Sequence, residues 1–114
     1  MRSGTAIVLT IMCAGCAGHR TTDDWLRQLR DGNVVARREA IRELTSRDPD
    51  RVVPTLAVAL RDENHYVRHD AAVALGKLGA AAAVPALTIA RRDPEKSVRT
   101  AAEAALKKIN AGNG

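Results

Sequence analysis

Two histidines are the side chains whose types and spacing come closest to a metal site in this sequence. His65 and His69 are four residues apart, a spacing that places both imidazoles on one face of a helix and is common among metal ligands. No third ligand of matching spacing is evident, although Asp62 and Asp70 are near in sequence. We therefore predict a surface histidine pair, with no metal and no cofactor.

The rest of the chain contains few side chains that could act as a catalytic nucleophile. After the N-terminal region the serines are Ser46 and Ser97, and both cysteines, Cys13 and Cys16, lie in the first sixteen residues. The sequence contains no Ser-His-Asp pattern, glycine-rich phosphate loop or nucleotide signature. The residue types predict that the protein is not an enzyme and has no catalytic residues.

Charged residues recur at a fixed spacing of 31 residues. In each copy an aspartate is followed six residues later by an arginine: Asp31 and Arg37, Asp62 and Arg68, and Asp93 and Arg99. A carboxylate between two helices can accept hydrogen bonds from the free N–H groups that open the second helix. An arginine one turn into that helix can reach the carboxylate of its own or the neighbouring copy. Because the pair recurs in every copy, we interpret it as a structural ladder and not as a ligand site.

The elements that must position these side chains are helices. Apolar residues share the 31-residue spacing, as in Ala40, Ala71 and Ala102, and in Leu44, Leu75 and Leu106. A repeat of this length indicates a stacked solenoid. The two aromatic residues, Trp25 and Tyr66, are too few for a typical β-sandwich. We predict an all-α fold, a short α-solenoid of three helical hairpins, with repeats at about 23–53, 54–84 and 85–114.

Local signals mark individual helices within the second copy. One helical stripe, with steps of four, four and three residues, is formed by Val67, Ala71, Leu75 and Leu78. The helix before it is predicted to run from Asp48 as N-cap, with Pro49 at its first position, to about Leu60. Its apolar side chains are Val52, Val53, Leu56, Val58, Ala59 and Leu60. Gly79 is placed to end the second helix in a left-handed cap.

The N-terminus has the layout of a secretory signal peptide. Arg2 is followed by an apolar run at 5–12 and then by small residues. The run is shorter than the ~18 residues that a membrane-spanning helix needs. The ending Ala14-Gly15-Cys16 resembles a bacterial lipobox, with Cys13 where that motif usually has Leu.

The lipobox resemblance implies a cellular location. It predicts a signal peptide at 1–15, lipidation of Cys16 and a linker at 16–22 that tethers the repeat domain, 23–114, to a membrane of the bacterial cell envelope. By resemblance to Gram-negative sorting rules, Ala17 after Cys16 favours the outer membrane. The alternatives are an ordinary signal peptide cut after a residue such as Gly18, or a cytosolic protein with an apolar start.

The charge balance bears on the class of partner. The chain has 18 Lys and Arg against 13 Asp and Glu, a net charge of +5, and residues 85–114 hold six basic and three acidic side chains. A nucleic-acid binder would have a broader basic face with aromatic platforms, so we predict no nucleic-acid partner. A solvated face is one interpretation of this excess, and attraction to an anionic partner or to lipid headgroups is the other.

The repeats resemble a known family. The stretch LRDENHYVRHDAAVALGKLG at 60–79, with VPAL at 84–87, resembles HEAT repeats of the short bilin-lyase-like kind. The segment VRHDAAVALG also resembles the metal-binding repeats of deoxyhypusine hydroxylase, a HEAT-repeat di-iron enzyme with a His-Glu pair on each of four helices. Here the matching pair is His69-Asp70, and the equivalent pairs, Arg38-Glu39 and Thr100-Ala101, cannot complete such a site.

Together these observations predict a non-enzymatic protein-interaction or scaffold module, tethered to the envelope, with an unknown protein partner. We expect the contact face to include His65, His69, Arg91 and Lys96. The alternative is an enzyme or enzyme subunit resembling bilin lyase or deoxyhypusine hydroxylase.

Overall fold

A computed structural model describes residues 20–113 and shows six α-helices there. The helices are α1 (Thr22–Asp31), α2 (Val34–Leu44), α3 (Pro49–Ala59), α4 (His65–Leu78), α5 (Val84–Ala90) and α6 (Lys96–Asn113), and a 3-10 turn (Ala81–Ala83) precedes α5. The described part of the chain contains no strand. The predicted signal peptide and Cys16 lie outside the described residues. Consecutive helices form three hairpins, which confirms the predicted short α-solenoid.

Polar side chains begin the helices where the sequence places them. The Thr21 hydroxyl accepts from the Asp24 N–H, and the Asp24 carboxylate accepts from the Thr21 N–H, so the two form a capping box at α1. Asp48 caps α3, which begins at Pro49 as predicted, and Asn64 caps α4. At the other end of α4, Gly79 has a φ of 63° and a ψ of 35°, the left-handed conformation that glycine adopts without strain.

The helices pack more tightly in one layer of the stack than in the other. The second helices of the hairpins, α2, α4 and α6, pack against one another, and α4 and α6 share the largest contact. Gly76 allows that contact, because a Cβ built at this position would lie 2.8 Å from the Ala105 Cα. The first helices α3 and α5 approach each other much less closely. A groove therefore lies between α3 and α5.

The core follows the 31-residue period. Equivalent positions in the three copies are buried, as in Trp25, Leu56 and Leu87, and in Ala40, Ala71 and Ala102. Trp25 lies in the first hairpin, where the Arg20 guanidinium stacks 4.0 Å from its ring centroid. Val58, one of the apolar side chains of α3, lies outside the core and is 69% exposed. Among the described residues, no helix has the length and apolar character needed to cross a bilayer.

The repeat boundaries chosen from the sequence do not coincide with the boundaries between hairpins. The boundary predicted between residues 53 and 54 falls inside α3, and the boundary between 84 and 85 falls at the beginning of α5. A repeat can be counted from any position without changing its period, so the hairpins themselves define the natural unit.

Candidate functional site

The recurring aspartates and arginines connect successive hairpins. The Arg37 guanidinium, one turn into α2, lies against the Asp62 carboxylate of the next copy, with Nε 2.8 Å from Oδ2 and Nη2 2.9 Å from Oδ1. Arg68 repeats the contact one copy later, where its Nε donates to Asp93 Oδ2 at 2.8 Å and its Nη2 to Oδ1 at 3.1 Å. The Arg68–Asp93 pair has two parallel hydrogen bonds, the geometry that makes arginine–carboxylate contacts strong. The Arg37–Asp62 pair is a close ion pair with one hydrogen bond, from Nη2. Each arginine thus reaches the following copy and not its own.

The same aspartates hold the turns between helices. Asp62 Oδ1 accepts from the Asn64 N–H at 2.9 Å, and Asp93 Oδ1 accepts from the Glu95 N–H at 2.9 Å. Arg68 Nη1 also donates to the Asp62 carbonyl at 2.7 Å. The carboxylates and guanidiniums are half-buried to buried, with 8–15% of each side chain exposed. Each inner rung therefore ties one turn to the next across the stack.

The ends of the ladder lack a carboxylate–guanidinium contact. Arg99 Nη1 donates to the Asp93 carbonyl at 2.7 Å and to the Pro94 carbonyl at 3.0 Å, and no described carboxylate contacts it. Asp31 is exposed, and the structure shows no ion pair for it among residues 20–113. We call Arg37, Arg68 and Arg99 the ladder arginines.

The two histidines lie on successive turns of α4 beside an ion pair. His69 Nδ1 is 3.3 Å from Asp70 Oδ1, and Asp70 Oδ2 accepts from Arg38 Nε at 2.7 Å. The hydrogen bond to Asp70 raises the pKa of Arg38 above its usual range. His65 stacks on Tyr66 with ring centroids 4.1 Å apart, and the Arg38 guanidinium lies 5.2 Å from the Tyr66 centroid.

These residues do not fit a di-iron site. The Asp70 carboxylate, which matches a metal-binding position of the hydroxylase family, is already bonded to Arg38. Within the part of the chain that the structure describes, no group of three or more His, Cys, Asp and Glu is arranged to hold a metal ion. Two irons need several such ligands, so residues 20–113 supply one candidate pair at most.

The four residues predicted to contact a partner are spread over two hairpins. His65 and Lys96 occupy equivalent first positions of α4 and α6. His69 lines a groove of about 500 Å³ between α2 and α4, together with Asp70 and Lys77. Arg91, just after α5, is exposed and lies 3.7 Å from a Glu103 carboxylate oxygen of α6. The four thus belong to different parts of the surface.

A second row of arginines was missed by the sequence analysis. Arg30, Arg61 and Arg92, which we call the groove arginines, also recur every 31 residues and are exposed. Val58 and Ile89 share this spacing and are 69% and 73% exposed. The 31-residue offset identifies all five positions in the sequence, but a burial pattern was needed to show that they face solvent.

The stacked hairpins and their ladder define a helical-repeat solenoid. A family model described as HEAT repeats matches residues 22–107. The chain therefore belongs to the HEAT repeat family. This match covers HEAT repeats in general, and the narrower resemblance to the bilin-lyase-like kind stays a prediction.

One solved structure gives a more specific similarity. The structure of human deoxyhypusine hydroxylase in complex with glycerol matches with a TM-score of 0.72 and 34% sequence identity, over 79% of this chain and 32% of that chain. This protein therefore spans about a third of the length of the hydroxylase. A search of curated proteins found no significant match.

The similarity to the hydroxylase contradicts the prediction that the protein is not an enzyme. That prediction relied on the absence of nucleophile, phosphate-loop and nucleotide patterns, and on the single His69-Asp70 pair, whose equivalents Arg38-Glu39 and Thr100-Ala101 cannot complete a metal site. The comparison points toward a family that contains an enzyme.

Proposed function

We propose that the protein is a helical-repeat module that binds another protein and is held at the bacterial cell envelope by a lipid on Cys16. The observation that carries the binding role is the exposure of large apolar side chains at matching positions of successive hairpins. Val35 and Tyr66 are 74% and 52% exposed at the second position of α2 and α4, and Val58 and Ile89 are exposed at equivalent positions of α3 and α5. Val58 and Ile89 line one groove, and exposed apolar side chains that lie together in this way are typical of interaction surfaces.

The proposed tether rests on the order of residues 1–16. A basic start, a short apolar run and Ala14-Gly15 before Cys16 together support processing at Cys16, and two or more acyl chains suffice to hold a small domain at a bilayer. The test is fractionation and intact mass of the full chain expressed in a Gram-negative host. We expect a membrane-bound product that begins at Cys16 with added acyl mass.

Two cysteine variants make this test specific. Cys16→Ala should be soluble or unprocessed, while Cys13→Ala should remain membrane-bound, because only Cys16 follows Ala14-Gly15. A wild-type chain that keeps Met1 in the soluble fraction would contradict the tether.

Photocrosslinking tests the binding role independently of the tether. A photoreactive phenylalanine analogue is placed in turn at His65, His69, Arg91 or Lys96 of the full chain, with Asn110 as an exposed control position. We expect a discrete crosslinked product in the envelope from some of the four positions and none from Asn110. Because the four positions lie on different parts of the surface, absence of product from all of them, or equal product from the control, would argue against the binding role.

The similarity to deoxyhypusine hydroxylase supports a second candidate, a subunit or part of a related metal-dependent enzyme. In this candidate His69 and Asp70 supply one ligand pair, Asp70 leaves Arg38, and the other ligands come from outside residues 20–113. The test is iron analysis of the full chain after anaerobic loading with iron(II). Stoichiometric iron that is lost in His69→Ala would favour the candidate, and no retained iron would count against it.

A further inference from the structure

The groove between α3 and α5 combines apolar walls with a basic rim. Its volume is about 730 Å³, and its walls include Ala57, Leu60, Ala86 and Ala90, while Val58 and Ile89 stand exposed beside it. A second groove of about 400 Å³ lies on the other side of α3, between α1 and α3, and shares Val58 and Arg61 with the first. The first helices of the hairpins therefore form a ridged surface with accessible apolar side chains.

Two of the groove arginines, Arg61 and Arg92, have the same backbone contact with an exposed apolar residue. The Arg61 N–H donates to the Val58 carbonyl at 2.9 Å, and the Arg92 N–H donates to the Ile89 carbonyl at 3.0 Å. In both hairpins the arginine therefore follows an exposed apolar residue by three positions, about one helical turn. The pattern places two cations at the same end of the α3–α5 groove.

The positive charge at this end is not neutralised by the groove itself. Arg30, Arg61 and Arg92 make no ion pair with any residue between 20 and 113. The carboxylates that line the grooves are Asp62 and Asp93, and both already accept from Arg37 or Arg68 and from a backbone N–H. The acidic groups nearest the groove arginines are therefore already paired with ladder arginines.

We infer that the α3–α5 groove binds a short acidic, amphipathic segment of a partner protein, an inference that rests on the proposed binding function. Apolar side chains of the segment pack on Val58 and Ile89, and its carboxylates pair with Arg61 and Arg92. On the α3 side the groove is lined by residues 57–61 at the end of the helix, so the segment that contacts it is short.

The shape and charge of the groove favour this occupant over two others. A membrane surface is flat and cannot place side chains into a groove lined by Ala57 and Ala86. A second copy of this chain is a poor complement, because the chain itself carries a net charge of +5. An acidic segment supplies both missing features, apolar side chains and negative charge.

Selection of displayed peptides tests the inference without knowledge of the partner. The full chain is panned against a library of random 12-residue peptides on phage, and the enriched peptides are resynthesised with a fluorescent label. We expect enrichment of Asp and Glu together with Leu, Ile or Phe, and weaker binding as salt is raised. Enriched peptides that lack acidic residues, or no enrichment at all, would overturn the inference.

Charge-reversal variants locate the binding. Arg61→Glu/Arg92→Glu should weaken binding of an enriched peptide at least tenfold, and Arg61→Gln/Arg92→Gln should weaken it less. Lys107→Glu/Lys108→Glu, with the same change in net charge on exposed positions of α6, should change it less than twofold. Circular dichroism melts confirm that each variant is folded.

The outcomes separate this groove from the broader binding function. Peptides that bind the Arg61→Glu/Arg92→Glu variant as well as the parent would overturn the groove and leave the binding function standing. No enriched peptide, together with no photocrosslinked product, would overturn both. Cosedimentation with phosphatidylglycerol vesicles that depends on Arg61 and Arg92, without acidic peptide binding, would replace the inference with a membrane contact.

Discussion

Two rows of arginines run along this stack with the same 31-residue period. One row is half-buried between hairpins, and the other is exposed. The ladder arginines lie between successive hairpins, and Arg37 and Arg68 each form an ion pair with a carboxylate of the next copy. The groove arginines are exposed at or just after the ends of the first helices and form no ion pair among residues 20–113. Both rows recur every 31 residues, so recurrence alone does not show which arginines are structural. The ion pairs of each arginine show whether its charge is used within the fold or is available to a partner.

Removal of an inner ladder arginine is expected to have the largest effect on stability. Arg68→Ala leaves the Asp93 carboxylate, 8% exposed, without its counter-charge, and we expect the free energy of unfolding to fall by about 3 kcal/mol. Arg61→Ala is the matched control, since it removes the same side chain from an exposed site, and its effect should stay within about 0.5 kcal/mol. Urea unfolding followed by circular dichroism measures both, and equal losses would break the distinction between the rows.

The close contact of α4 and α6 is expected to rank second. Gly76→Ala would bring its Cβ to 2.8 Å from the Ala105 Cα and 2.9 Å from the Ala105 Cβ, so α4 and α6 must move apart. We expect a loss of about 2 kcal/mol in the urea experiment. Gly112→Ala, with nothing within 4 Å of the added Cβ, should be neutral or slightly stabilising. If Gly76→Ala leaves the free energy of unfolding unchanged, α4 and α6 pack less closely than the structure indicates.

The last ladder arginine sharpens the comparison within its own row. Arg99 bonds two carbonyls but no described carboxylate, so Arg99→Ala should lower the free energy of unfolding by about 1 kcal/mol. The effect should fall between those of Arg68→Ala and Arg61→Ala in the same denaturation series. A loss as large as that of Arg68→Ala would mean that the carboxylate contributes little to the inner rungs.

The smallest expected effect concerns an exposed charge that caps a helix. The Thr21 N–H, and then the Thr21 hydroxyl, hold the pKa of Asp24 below its ordinary value of 3.8. Because the folded-state pKa is lowered, the stabilisation is present above pH 3.8 and is lost as the pH falls through the folded-state value. Acid titration of unfolding should show a smaller loss below pH 4 for Asp24→Asn than for the parent. Identical acid profiles for Asp24→Asn and the parent would contradict the capping box.

Much of the fold follows from local signals, while the site depends on how the hairpins stack. Asp48-Pro49 and Gly79 act within one turn of the chain, so the ends of α3 and α4 could be predicted. Whether Arg37 reaches Asp31 or Asp62 depends on the offset between neighbouring hairpins, which the sequence left open. Val58 and Leu56 are both apolar residues of α3, yet Leu56 is buried and Val58 is exposed, because α5 stays apart from α3. The prediction that the protein is not an enzyme was made from local motifs, whereas the similarity to the hydroxylase extends over 79% of this chain and is not visible in any one motif.

A pair of double-mutant cycles that share one aspartate tests most directly whether contacts separate the two rows. Asp93 is bonded to Arg68 and also lines the groove whose rim carries Arg61. Urea unfolding of Arg68→Ala, Arg61→Ala and Asp93→Asn, singly and in pairs, gives both coupling free energies. We expect about 2 kcal/mol between Arg68 and Asp93, and less than about 0.5 kcal/mol between Arg61 and Asp93. Equal couplings would contradict the account, because the two rows would then share the same counter-charge.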